Sequence, residues 1–377
     1  MRRLFILTVV ALAAAAGAPV AASAGTGQRG AITITSDSDF LTCGCVTAGD
    51  GLPGNPYVIG PWAINAPTGD STGGWAVKVV NTVVNGVSSV TKSFTISGIS
   101  VTYSGVGPTD RVIWLVDVGN ATISNVSANE NGIGVELDGS SNITLDQLSF
   151  NKMNGTGLFI NGSHGVGLSN SKFKSTADGA DEQLHYADGV FAENSSDLRI
   201  GGVPACPGNQ ICNSFDYDSG FGVYLQNTQN STIDHASANA DDTAGYVLDN
   251  SSGVTLSNSG AGSDGPICFS SGGVRTHTGY ASDLQGNLLL INGSSGNTIS
   301  DDQFAAPIGG YSIGSGGHTT DGVNGAFFNP CTKSYQPVLP PEGPLAETGV
   351  VDGANTFLNT CYFSTNIPSL EPAQRCK

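Results

Sequence analysis

Basic side chains are scarce in this chain: 14 Lys and Arg stand against 31 Asp and Glu, for a net charge of −17. So acidic a surface has nothing to offer the phosphates of nucleic acid or anionic lipid, which excludes both as partners. Long apolar runs are also missing. The run Leu4–Ala16 is too short to span a bilayer, and no later segment is long enough. With Arg2 and Arg3 before that run and Ala22-Ser23-Ala24 after it, residues 1–24 read as a secretory signal. The remainder is expected to be exported, to the cell surface, the periplasm or the medium, and to be a monomer.

What is present is repetition. Six times a Gly or Asn precedes two apolar residues one apart, and a polar turn follows. The phrase runs Gly134-Val135-Glu136-Leu137, then Asp138 to Asn142, then Ile143-Thr144-Leu145. It returns at Gly157, Gly189, Gly222, Gly245 and Asn287, with steps of 23, 32, 33 and 23 residues between the glycines. Apolar residues at i and i+2 are strand spacing. A period near 23 with longer insertions marks a solenoid, in which each repeat is too small to bury its own apolar side and stacking buries a continuous column. Three short strands per coil fit the phrase, as in Val135/Leu137, Ile143/Leu145 and Leu148/Phe150. Ala236/Ala238 and Ser259/Ala261 take the third place in later coils and predict a narrower core there. Asn, Gly and Ser between the strands supply tight bends. Val77/Val79, Phe94/Ile96, Ile99/Val101 and Ile113/Leu115 read as earlier coils.

This pattern resembles the right-handed parallel β-helix superfamily, which includes pectate lyases, polygalacturonases and NosD-like periplasmic proteins. The resemblance covers residues 74–305 and implies an all-β, right-handed parallel β-helix. Ahead of it, Asp50-Gly51 through Pro56-Tyr57-Val58-Ile59 to Trp62-Ala63-Ile64 looks like the opening common before NosD-like β-helices. Residues 25–73 are therefore expected to cap the solenoid, with Tyr57 and Trp62 as apolar lids over an otherwise open parallel edge. Trp62 and Trp75 are also candidates for stacking on sugar. Residues 306–377 lose the repeat and are expected to form an irregular, disulfide-containing C-terminal cap or tail.

All eight Cys follow the signal, in an oxidising compartment. Cys206 and Cys212 flank a short Pro/Gly loop and are expected to pair. Cys43 and Cys45 look too close to pair with each other, and the rest stay open. Cys-x-Cys followed by scattered Cys does not match zinc spacing. Asn-x-Ser/Thr recurs in the predicted turns, for instance at Asn142, Asn161 and Asn250, where turn chemistry already calls for Asn and Ser.

For chemistry, equal offsets before each glycine are expected to fall in one column. Four residues before it stand Glu130, Met153, His185, Asp218 and Asp241; three before stand Asn131, Asn154, Tyr186, Ser219 and Asp242. That places His185, Asp218, Asp241 and Asp242 on a solvent-facing edge of adjacent coils, about 5 Å apart per coil, as candidate catalytic residues. Paired carboxylates can act as acid and base on a glycosidic bond. The same edge, with Asp188 and Asp216 added, is a candidate calcium site, since calcium takes oxygen ligands in irregular geometry. No other cofactor is expected. The resemblance implies more than the residues supply. Pectate lyases combine calcium with a basic proton abstractor, and this column holds no Arg or Lys. Polygalacturonases carry Asn-Thr-Asp, Asp-Asp, His-Gly and Arg-x-Lys on successive coils; here Asp241-Asp242 is present, His164-Gly165 comes two coils early, and Arg-x-Lys is missing. NosD-like proteins are linked to copper delivery, but the soft ligands here are five scattered His and, beyond Met1, only Met153. Two readings follow. One is an exported β-helix that binds polysaccharide or acts in structure or interaction at the cell surface. The other is a polysaccharide lyase or glycoside hydrolase using the acidic edge.

Overall fold

The structure is a computed structural model that describes residues 28–65, 73–103, 109–174, 188–201, 212–216, 218, 220–239, 244–262, 286–300, 303–305, 326–329, 334–337, 355–358 and 361–362. Each repeat is one turn of a right-handed parallel β-helix. The first strand of each coil belongs to a nine-stranded parallel sheet, running from Ile32–Ile34 and Trp75–Val80 through Arg111–Val116, Ile133–Asp138, Leu158–Asn161, Val190–Glu193, Phe221–Gln226 and Ala244–Asp249 to Gly286–Ile291. The second and third strands form a second, bent sheet. Ala121–Asn129 rounds the bend without a break at Asn125 (φ 52°), whereas a later coil splits into Gly167–Ser169 and Lys172–Lys174 around Asn170 (φ 49°).

The register follows the apolar phrase. Val135 lies beside Ile113 and Leu158, and Leu137 beside Leu115 and Ile160. The bends follow composition. After the first strand, Asp117, Gly139, Gly162, Asn194, Asn227, Asn250 and Asn292 occupy one position in seven coils, with φ between 48° and 57°. Only Gly, Asn and Asp enter this left-handed region cheaply. The next residue is buried, and from Ser140 to Ser251 it is Ser or Thr; in the last coil Gly293 intervenes and the buried Ser294 takes that place. Ser140 Oγ accepts from Val118 N, Ser163 Oγ from Ser140 N, and Ser251 Oγ from Thr228 N, at 2.9–3.2 Å. Each hydroxyl thereby satisfies the main chain of the neighbouring coil in a place water does not reach.

The glycine that opens the phrase has a packing reason. Phe150, Phe173 and Phe215 stack inside the bore at 5.3 and 5.5 Å, and a Cβ on Gly134 would stand 2.5 Å from the Phe150 ring. Later coils replace these rings with Ala238 and Ala261. The vacated space is filled rather than closed, which corrects the expectation of a narrower core: Tyr246, fully buried, projects there and its hydroxyl donates to Ala236 O at 2.9 Å.

At the N-terminal end the parallel ladder starts before residue 74. Ile32–Ile34 pairs with Trp75–Val80, and Tyr57–Ile59 and Trp62–Asn65 both pair with Phe94–Tyr103. A short helix, Asp39–Thr42, places Phe40 against Tyr57 at 5.0 Å and Phe94 at 5.5 Å. Trp62 is half-buried and donates from Nε1 to Cys45 O. Cys43 and Cys45 do form a disulfide, contrary to the sequence reading. Gly44 between them takes a left-handed turn (φ 56°) that sets their Cα atoms 5.1 Å apart, within disulfide reach. Cys212 is disulfide-bonded; Cys206 lies outside the described residues. At the other end, Thr356–Leu358 and Cys361–Tyr362 extend the second sheet alongside Thr298–Ser300 and Gln303–Ala305. No described helix is long and apolar enough to cross a membrane.

Candidate functional site

Alternation along the first sheet sends the residue between the two apolar positions outward. In register order these residues are Lys78, Trp114, Glu136, Phe159, Phe191, Tyr224 and Val247. One ring and charge cluster opens the row. Lys78 Nζ lies 4.4 Å from the Trp75 ring and 3.8 Å from the Trp114 ring, with the Arg111 guanidinium 4.2 Å from Trp114. Arg111 grips Glu136 through both carboxylate oxygens, at 2.7 and 3.1 Å. Burial pushes the Glu136 carboxyl up, opposed by the hydrogen bond and charge of Arg111. Further along, Phe159 stacks on Phe191 at 5.4 Å, and Phe191 meets Tyr224 at 5.1 Å. Phe159 is half-exposed, while Phe191 and Tyr224 are buried.

Two residues on, a second row carries carboxylates and amides: Asp138, Asn161, Glu193, Gln226 and Asp249. Asp138 accepts from Trp114 Nε1 at 2.8 Å and Asn161 Nδ2 at 3.2 Å. Asp249 accepts from Tyr224 Oη, Gln226 Nε2 and Asn292 Nδ2. Glu193 differs. It is half-buried, its carboxylate forms no hydrogen bond or ion pair among the described residues, and burial together with the charge of Asp138 raises its pKa. An acceptor in that state is available to a ligand hydroxyl.

The acidic edge read from the sequence does not assemble as counted. His185, Asp241 and Asp242 lie outside the described residues. Asp218 is fully buried rather than solvent-facing, and so is Asp188 at 1% exposure. The column fails because corner length decides direction. Met153 and Asp218 each stand two residues past the end of a third strand and are buried, while Glu130 stands one past it and is 67% exposed, near Lys152. Burial holds the Asp188 carboxyl well above the usual range; its Oδ1 accepts from Phe221 N and its Oδ2 has no partner. Asp216 accepts from Ser214 Oγ and Ser237 Oγ. Among the described residues no three His, Cys, Asp or Glu side chains group as metal ligands would. Trp75 does sit on the outer face; Trp62 does not. The outward row was missed, although its signal is plain: it is the residue between the apolar pair in every phrase.

A family model for the right handed β-helix region matches residues 83–327, well over half of the chain. No curated protein sequence matches it. Similar solved structures include the enzymatically active domain of tailspike protein 2 from bacteriophage CBA120, at 14% identity and TM-score 0.49, matching 79% of this chain and 40% of that one. The A-module of mannuronan C-5 epimerase AlgE4 from Azotobacter vinelandii follows at 10% identity and TM-score 0.43, over 75% of this chain and 80% of that one. The catalytic domain of a GH87 α-1,3-glucanase in complex with nigerose matches at 13% identity and TM-score 0.43, over 93% and 61%. At these values none of them assigns an activity or a ligand to this chain.

Proposed function

The chain belongs to the right-handed β-helix family, and on that scaffold we propose that it is an exported protein that binds polysaccharide along the outer face of the first sheet. The observation that carries this reading is Glu193: a half-buried carboxylate with no partner among the described residues, in line with the Asn161 and Gln226 amides and one coil on from the half-exposed Phe159. Sugars present apolar C–H faces that pack on aromatic rings and hydroxyls that donate to carboxylates and amides. Trp114 and Phe159 supply the rings two coils apart, a spacing of about 10 Å. The test is calorimetric titration of the exported chain with a panel of soluble neutral and uronic polysaccharides, with and without calcium. Binding of at least one polysaccharide is expected, weakened at least about tenfold by Trp114→Ala with Phe159→Ala. No binding across the panel, or equal binding by the double variant, overturns the reading.

Hydrolysis is a second reading, favoured by the raised pKa of Glu193, which suits a general acid. Asp138 stands two coils away as the base, about 10 Å by coil spacing, at the upper edge of the separation between carboxyls that inverting hydrolases use. Release of reducing ends from a bound polysaccharide, abolished by Glu193→Gln, is its signature. Binding without such release leaves the protein non-catalytic.

A further inference from the structure

The outer face of the second strands obeys one rule nearly throughout. Thr95, Thr122, Thr144, Thr232, Thr255, Thr298 and Thr356 hold a single register position in seven coils. Val58 holds the position in the coil before Thr95; from Thr95 onward only the two consecutive coils between Thr144 and Thr232 depart from the rule, with Gly167 and Arg199. At this break the surface opens into a cavity of about 390 Å³, bordered by Thr144, Gly167, Arg199 and their neighbours. That volume lies within the usual range for ligand sites, of about 300–1,000 Å³.

Folding does not require the gap. Gly201, also at the cavity, needs to be glycine, because its φ is 108° and a Cβ would stand 1.8 Å from Asp234 O. Gly167 has no left-handed φ, and nothing lies within 4 Å of where its Cβ would be. Threonine would fit there as it does in seven other coils. The missing side chain at Gly167 therefore leaves open room in the cavity lining that packing does not require.

The rim is unsatisfied and mixed in sign. Among the described residues the exposed Arg199 guanidinium forms no hydrogen bond or ion pair, in a chain with only 14 Lys and Arg. Thr144 Oγ1 has no partner among them either. Asp197 Oδ2 accepts from Ser196 Oγ at 2.8 Å, which leaves Oδ1 open. Asn142 Oδ1 hangs over Gly165, 2.9 Å from where its Cβ would be. An anion would meet Arg199 but also Asp197 and the charge of the whole chain. A cation would meet Arg199. A ligand with both donors and acceptors and no charge meets every group in its favoured role.

We propose that this cavity binds one neutral saccharide residue, its ring over Gly167 and its hydroxyls shared among Arg199, Asp197, Thr144 and Asn142. The ligand class is that of the glycan-binding reading above, but the face is a different one, so each can fail alone. The test is backbone amide NMR of the exported chain titrated with glucose, galactose, mannose and xylose. At least one sugar is expected to shift the Gly165, Gly167 and Gly201 amides with millimolar saturation. Gly167→Leu fills the gap and Arg199→Gln removes the cation; each is expected to weaken the shifts about tenfold or more. Thermal unfolding of Gly167→Leu should match the parent, and should that variant not fold, Arg199→Gln decides. If none of the four sugars moves these amides, or if the variants respond as the parent does, the proposal is overturned. Shifts confined to the amides around Trp114 and Phe159 support the first-sheet reading and overturn this one.

Discussion

The outer face of the first sheet and the outer face of the second strands sit on the same coils, yet they are different kinds of surface. The second-strand face repeats threonine from Thr95 to Thr356 and is interrupted once. The first-sheet face changes at nearly every coil: lysine, tryptophan, glutamate, phenylalanine, phenylalanine, tyrosine, valine. Both faces leave the bore untouched, because strand alternation separates outward from inward choices. A repeat that is free to vary outward without disturbing its core is a scaffold for binding. On the uniform face the informative residues are the exceptions, Gly167 and Arg199. On the varied face they are the groups left unsatisfied, Glu193 above all.

The largest effect expected separates inside from outside. Leu225 is fully buried and Thr232 is exposed on the second-strand face. Leu225→Asp places an unpaired charge in the bore and should cost more than about 4 kcal/mol or abolish folding, whereas Thr232→Asp should stay within about 0.5 kcal/mol. Urea unfolding of the two variants makes the comparison; similar midpoints would mean the inward and outward assignments are wrong.

A second test breaks the first-sheet face internally. The side chains of Arg111 and Glu136 are 12% and 6% exposed. Arg111→Ala strands a buried carboxylate and should cost about 3–5 kcal/mol. Arg111→Ala combined with Glu136→Leu should recover most of that loss, since both charges are then gone. A single variant as stable as the parent would show that the pair contributes nothing.

The smallest effect sharpens the contrast through pH. Glu193 has a folded pKa above its ordinary value of 4.5. A raised carboxyl binds its proton more tightly in the folded state, so its contribution is present below pH 4.5 and is lost as pH rises through the folded pKa. Glu193→Gln should therefore raise the melting temperature slightly at neutral pH and leave it unchanged well below pH 4.5. Thr255→Gln on the uniform face should show no such dependence. A melting temperature for Glu193→Gln that is equal to the parent at both ends of that range would remove Glu193 from the argument.

Much of the coil could be read without coordinates. Val135/Leu137 and Leu158/Ile160 announce strands, and Asn194, Asn227 and Asn250 announce left-handed bends, because alternation and backbone sterics act within a few residues. The site was less legible. Counting back from each glycine treated Glu130 and Asp218 as equivalents, but the corners differ in length by one residue, and one residue turns a side chain from solvent to bore. Reading the middle residue of each phrase would have found Trp114, Glu136 and Phe159. It would not have shown that Glu193 lacks a partner.

The sequence by itself determined the period, the inward residues and the bends, since each depends on local spacing and on which side chains tolerate which backbone angles. Tertiary structure decided the rest. It brought Arg111 to Glu136 and Asp138 to Trp114 across neighbouring coils, filled the space above Ala236 and Ala238 with Tyr246, joined Cys43 to Cys45 around Gly44, and left Gly167 as a gap in a column of threonines. These are relations between residues 2 to 25 positions apart. They are set by the hydrogen-bonded register of one coil on the next and by the turn of the chain at each corner, and neither is written in any single repeat.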